Sequence, residues 1–150
     1  AMGTDMVYEK GSASLNNCAF VSTSEIDTDF AAPFCFLMDM SMLGVGVGGD
    51  TKGKGKINII KPKYTDKEYV VEDTREGWVN LVKSVLNAFV GRGSISNNID
   101  YSNIRQFGTK IKGFGGVASG PQPLIDLVVN IINLLTIFKN LLTIYKKNSQ

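Results

Sequence analysis

The sequence predicts an α/β fold built on a parallel sheet, and three observations carry that prediction. An alternating segment, an apolar run and a Gly-Val repeat succeed one another within about 35 residues as strand, helix and strand, the order of a βαβ unit with a right-handed crossover. A second helical period begins near residue 74, and a third, longer one near residue 124. The composition is that of a folded domain: 150 residues, 43% hydrophobic and 20% charged, enough to bury about two-thirds of the unfolded surface.

In the first element, Leu15, Asn17, Ala19 and Val21 share one face of a strand, and Asn16, Cys18 and Phe20 the other. A polar turn at 22–29 follows. Pro33 is suited to a first helical turn, and Phe34 to Leu43, with its three Met and two Phe, predicts a largely buried helix. Gly44-Val45-Gly46-Val47-Gly48-Gly49-Asp50 predicts a short strand that something can approach closely. Residues 51–69 then change character. Lys52, Lys54, Lys56, Lys61, Lys63 and Lys67 alternate with Gly and apolar residues, either as a solvated hairpin or loop or as a phosphate-facing basic loop.

Asp73 and Glu76 stand at capping-box spacing, and Trp78, Val82, Val85 and Phe89 follow at helical intervals until Gly91. Residues 99–105 predict a strand leading into the Gly-rich stretch 108–121. Pro121 and Pro123 open the last element, Leu124 to about Lys147. There Leu124, Val128, Ile131, Leu135, Phe138, Leu142 and Tyr145 alternate steps of four and three. A membrane span needs about 20 predominantly apolar residues. Asp126, the asparagines at 130, 133 and 140, and Lys139 argue instead for a long amphipathic helix.

Rare residues set the exclusions. With no His, Ser-His-Asp and Cys-His nucleophiles and His-ligated zinc are ruled out, and two Cys make neither a four-cysteine metal site nor a disulfide scaffold. A net charge of +2 offers no broad surface for nucleic acid. Residues 1–20 show no targeting signal, and the opening Ala1-Met2-Gly3-Thr4 reads as a vector scar or as the inside of a longer protein. Gly113 to Gly120 ahead of a helix is either a phosphate cradle or a structural turn; it has no Gly-Lys-Ser/Thr closure and misses the strict dinucleotide register. Cys35, between two Phe residues, reads as a buried core thiol. Cys18 is either a core thiol or, behind two amides that need partners, part of a ligand site.

Several ordered blocks carry a resemblance. They are Leu15–Thr23, Pro33–Gly48, Val71–Val79, Ile104–Gly108 and Lys112–Pro121. Together they resemble monomeric, adenosylcobalamin-dependent (class II) ribonucleoside-triphosphate reductase over about residues 1–129. The resemblance implies a fragment of the ten-stranded α/β barrel of ribonucleotide reductases: a βαβ start, an inserted helical segment and a long C-terminal helix. The corresponding divisions are 1–50 (first βαβ), 51–98 (inserted effector and pseudo-dimer segment), 99–129 (strand, effector loop and helix start) and 130–150 (divergent helical tail). It further implies a cytoplasmic oxidoreductase of deoxyribonucleotide biosynthesis, serving DNA replication. Its radical chemistry uses adenosylcobalamin, a nucleoside triphosphate substrate, a dNTP allosteric effector and thioredoxin.

Carried over residue by residue, Cys18 matches the first of two reducing cysteines that end as a redox-active disulfide, and Asn17 a position touching the substrate ribose. Gly44 and Gly46 match places where substrate lies near the backbone. Arg105, Lys112, Gly113, Gly115 and Gly116 match the effector region, where cations and amides meet phosphates, and Glu25 falls near the effector ribose. The radical cysteine, its glutamate, the second reducing cysteine and the shuttle cysteines have no counterparts among these residues. The expectation is therefore an incomplete enzyme, inactive as an isolated chain unless a complementary reductase fragment joins it. A nucleotide-binding module without catalysis and a protein that self-assembles or meets membranes through Leu124–Tyr145 are the competing readings.

Overall fold

The computed structural model describes residues 18–112 and 116–149, with the side chains of 145 and 146 left aside. It divides into two compact units, Ala1–Ile57 and Asn58–Gln150. In the first, β1 (Cys18–Val21) and β2 (Gly46–Gly49) flank helix α1 (Ala32–Met42). The strands pair in parallel, Cys18 opposite Gly46 and Val21 opposite Gly49, which is the expected βαβ unit. The predicted alternation also holds: Cys18 and Phe20 are exposed, and Ala19 and Val21 are half-buried. The part of this strand expected at Leu15–Asn17 lies outside the described residues.

Helix α1 corrects one expectation. Only Pro33 and Met40 are buried, while Phe34, Leu37 and Met42 are exposed. Two strands cover only one side of a helix, so a helix that is apolar all round leaves part of its apolar surface open. Its end is well defined. The Val45 N–H reaches the Met40 carbonyl and the Gly44 N–H that of Ser41, both at 3.0 Å, with Gly44 at φ 78° and the side chains of Met40 and Val45 both buried. This is a Schellman close with its hydrophobic contact, and it turns the chain straight into β2.

A polar clamp closes the C-terminal ends of the two strands. Asp50 Oδ1 accepts the Thr23 N–H at 2.9 Å, the Thr23 hydroxyl at 2.9 Å and the Lys52 N–H at 3.1 Å. Thr23 Oγ1 in turn accepts the Gly53 N–H at 2.8 Å. These donors, the Thr23 N–H foremost, hold the Asp50 carboxyl well below the usual carboxylate range.

The second unit repeats the parallel logic in a place where the sequence suggested a loop. Strands β3 (Lys63–Thr65) and β4 (Tyr69–Val70) precede helix α2 (Arg75–Ala88), and β5 (Ser94–Ser96) and β6 (Ile99–Asp100) follow it. β3 pairs with β5 and β4 with β6, both in parallel. Residues 66–68 separate the first two strands and only 97–98 the second two, so one side carries an extra residue, as in a bulge. Side chains bridge the gap: Ser96 Oγ donates to the Lys67 carbonyl at 2.6 Å, Asn97 Nδ2 to Asp66 Oδ1 at 2.9 Å, and Asn98 Nδ2 to the Asp66 carbonyl at 2.7 Å. The strand expected over 99–105 is confined to Ile99–Asp100, because Tyr101 to Ile104 turn away under an Ile104 N–H to Tyr101 carbonyl bond.

Helix α2 presents Leu81, Val82, Val85 and Leu86 to a core shared with Val71, Phe89, Ile95, Ile104, Leu124 and Val128. Its N-cap is Thr74, whose Oγ1 accepts the Gly77 N–H at 2.9 Å, and not the expected Asp73. Its end repeats the Schellman geometry, Arg92 N–H to the Asn87 carbonyl at 2.8 Å with Gly91 at φ 82°. Helix α3 (Gln122–Asn148) packs its first turns on α2 and then runs on with its apolar residues exposed. By length and composition its Gln122–Ile144 stretch is long and apolar enough to cross a membrane.

Two predictions follow from this packing. A methyl group on Gly77 would run into the Glu72 carbonyl oxygen, so Gly77→Ala should destabilise by about 1–3 kcal/mol. Thr74→Ala, which only removes the cap, should cost about 1 kcal/mol, and urea unfolding followed by circular dichroism would rank the two. Asp50 and Asp100, the latter lowered by the Ser102 hydroxyl and N–H, have folded-state pKa values below their unfolded ones. Their stabilisation is complete above the unfolded value of about 4 and is lost as pH falls. Urea midpoints should be flat near neutrality and drop below about pH 4, less steeply in Asp50→Asn.

Candidate functional site

The face of the first sheet that α1 does not cover is built from Cys18, Gly46, Phe20 and Gly48. Register partners in a parallel pair point the same way, so the exposed Cys18 thiol stands beside Gly46, and the exposed Phe20 ring beside Gly48. Two glycines on one strand leave an open lane along the backbone next to a thiol. The Thr23–Asp50 clamp fixes the carboxyl ends of both strands, while Cys18 and Gly46 open them side by side at the amino ends. Among the predicted substrate residues, Gly46 therefore lies beside Cys18. Gly44 has a structural reason of its own, the helix close, and Asn17 lies outside the described residues. Phe20 and Gly48 belong to the same face and were missed, although the alternation that exposed Cys18 carried the signal for both.

Cys35, expected as a core thiol, is only half-buried, because α1 is half-covered. Glu25 sits exposed in the 24–28 turn of the first unit, where its carbonyl accepts the N–H groups of Thr28 and Asp29.

The second candidate region lies in the second unit, between β6 and α3. Arg105 Nε donates to Asp73 Oδ2 at 2.6 Å, and the Arg105 N–H reaches the same oxygen at 3.2 Å. The Arg105 side chain is still 44% exposed, so part of the guanidinium stays open to an anion. Asp73, read from the sequence as a helix cap, is in fact the residue that positions Arg105. The one-residue difference between it and the true cap, Thr74, is what concealed this role.

Beyond Arg105 the chain forms a small hairpin. The Gly108 N–H bonds the Ala118 carbonyl at 2.9 Å, the Ala118 N–H that of Thr109 at 2.7 Å, and Lys110 bridges Val117. Lys112 and Gly116 are exposed near its tip, while Gly113 and Gly115 lie outside the described residues. Gly120 has a structural basis: it is buried at φ 74°, and a Cβ there would meet the Phe107 nitrogen at 3.0 Å. For that glycine the turn reading holds. Tyr101, at the entry to the region, has its pKa raised by burial.

A further depression of about 290 Å³ is lined by Asn80, Lys83, Ser84, Asn87, Arg92, Gly93 and Ser94. That is at the lower limit for a drug-sized ligand and too small for a corrin. No cobalamin contact is assigned to these residues. No group of three or more Cys, Asp or Glu able to hold a metal ion occurs among the described residues.

Against known proteins, residues 50–135 match the family model described as B12-dependent ribonucleotide reductase, insertion domain. An adenosylcobalamin-dependent ribonucleoside-triphosphate reductase of Euglena gracilis is 48% identical over 139 residues, covering 90% of this chain and 19% of the relative. A probable enzyme of the same description from Dictyostelium discoideum is 44% identical over 154 residues, covering 89% of this chain and 20% of the relative. The crystal structure of a B12-dependent (class II) ribonucleotide reductase superposes with a TM-score of 0.61 at 27% identity, covering 93% of this chain and 26% of that one. The chain thus spans about a fifth of the length of these two curated relatives. The expected α/β barrel relationship is borne out by that structural match and by the mixed α/β elements. By its matching insertion domain, the chain belongs to the B12-dependent ribonucleotide reductase family.

Proposed function

We propose that this chain supplies the opening strands and the insertion of a ribonucleoside-triphosphate reductase, and that it reduces ribonucleotides only together with the remainder of such an enzyme. The observation that carries this reading is the Cys18–Gly46 register: an exposed thiol beside a glycine lane, in a chain 48% identical to a reductase of that name. Cys18 would give electrons to the substrate as one thiol of a pair, ending in a disulfide that an external dithiol such as thioredoxin reduces. Asn17, Gly44 and Gly46 would line the ribose. Adenosylcobalamin, when bound by the complete enzyme, supplies the radical; the residues of this chain orient substrate and hold the reducing thiol. A cytoplasmic setting follows from the need to keep that thiol reduced.

The hairpin region supports the regulatory half of the proposal. Arg105, Lys112 and Gly116 are exposed together in one unit, a setting for the phosphates of a dNTP, with Gly113 and Gly115 as further effector positions. Nucleotide binding without catalysis is the second reading, favoured by the same exposed Arg105.

Three measurements test these roles. Incubated alone with adenosylcobalamin, a dithiol and ribonucleoside triphosphates, the chain should form no dNTP; product formation would overturn its incompleteness. The exposed Cys18 should react with a thiol reagent faster than half-buried Cys35, and Cys18→Ser should remove the fast phase. Titration with dATP, dGTP and dTTP should show binding that Arg105→Ala weakens by about tenfold or more, whereas absence of binding by the unaltered chain sinks the effector role.

A further inference from the structure

An arginine side chain offers several N–H donors in a rigid fork, and the fold commits only one of those of Arg105. Its Nε donates to Asp73 Oδ2 at 2.6 Å, and its backbone N–H reaches the same oxygen at 3.2 Å. One carboxylate oxygen thus holds Arg105 at both ends of its aliphatic stem and curls the side chain back over its own backbone. Neither Nη nitrogen has a partner among the described residues, and the side chain is 44% exposed. Both partners stand on fixed chain. Asp73 directly precedes Thr74, the cap of α2, and Arg105 directly follows Ile104, buried in the core of the second unit.

Asp73 acts on an incoming anion in two opposed ways. Its charge cancels much of the positive field that would draw a phosphate in. Its grip removes the rotamer freedom that a long arginine side chain otherwise gives up on binding. With Nε taken, the donors left lie on the far edge of the guanidinium, where Nη1 and Nη2 present two parallel N–H groups. That edge matches two oxygens of one tetrahedral oxyanion. A neutral pair pulls weakly at a distance, so binding depends on making those two short bonds in the right geometry.

We propose that Asp73 is a positioning residue, that it makes Arg105 an end-on fork for one phosphate of a polyphosphate, and that its aim outweighs its opposing charge. This deepens, and rests on, the reading of Arg105 as a contact for the phosphates of a dNTP.

Aim and charge predict opposite signs. Calorimetric titration of the full chain with inorganic triphosphate probes the fork alone, and titration with dATP, dGTP and dTTP probes the effector reading. Asp73→Ala removes both the grip and the opposing charge, and should weaken triphosphate binding by about three- to tenfold. Asp73→Asn leaves an oxygen for Nε and should bind at least as tightly as the unaltered chain. Arg105→Lys keeps the charge but has neither Nε nor fork, and should bind as weakly as Arg105→Ala. Thr74→Ala weakens the same helix end without touching Arg105, so its affinity should stay that of the unaltered chain. The proposal is overturned if the unaltered chain binds no triphosphate, or if Asp73→Ala binds it as tightly or more tightly. It is overturned equally if Arg105→Lys binds like the unaltered chain, or if Thr74→Ala loses as much as Asp73→Ala. Triphosphate binding that follows this pattern, with no dNTP bound, would keep the fork and remove the effector reading.

Discussion

Two parallel strands cannot be joined by a tight turn; the chain has to leave the sheet, cross one face and come back in the same direction. That constraint organises both units. In the first, α1 makes the crossing between β1 and β2. In the second, α2 makes it once for two strand pairs together, β3 with β5 and β4 with β6. Each crossing must end abruptly so that the returning strand starts in register, and each does so with a glycine in the left-handed region, Gly44 or Gly91. A helix that ran one residue further would shift the return strand by one position and turn its faces over, taking Gly46 from beside Cys18.

Where the pattern is long the sequence shows it, and where it is short it does not. The alternation around Cys18, the Pro33 helix start, the α2 stripe and the α3 helix were all legible, because each repeats its period several times. The second parallel sheet was not. Its strands are two or three residues long, interrupted by an extra residue at 66–68 and set among lysines, so no window contains a full period. What holds them is non-local: Asn97 and Asn98 reach across to Asp66 in bonds that no local propensity encodes. Exposure of Phe34 and Leu37 was hidden for a related reason, since apolar composition says what a helix can bury and not how many strands are there to cover it.

The two candidate regions differ in how prepared they are. Cys18 needs nothing moved: its strand is clamped at the far end by Thr23 and Asp50, and its neighbour has no side chain. Arg105 is held at its Nε and its backbone by one carboxylate oxygen of Asp73. A phosphate approaching it either uses the exposed part of the guanidinium while Asp73 keeps the side chain aimed, or displaces Asp73 and gives up that aim. The first arrangement spends less side-chain entropy on binding, and a carboxylate this close reduces the positive field the anion meets. Asp73 thereby fixes where the guanidinium points at the cost of part of its positive field.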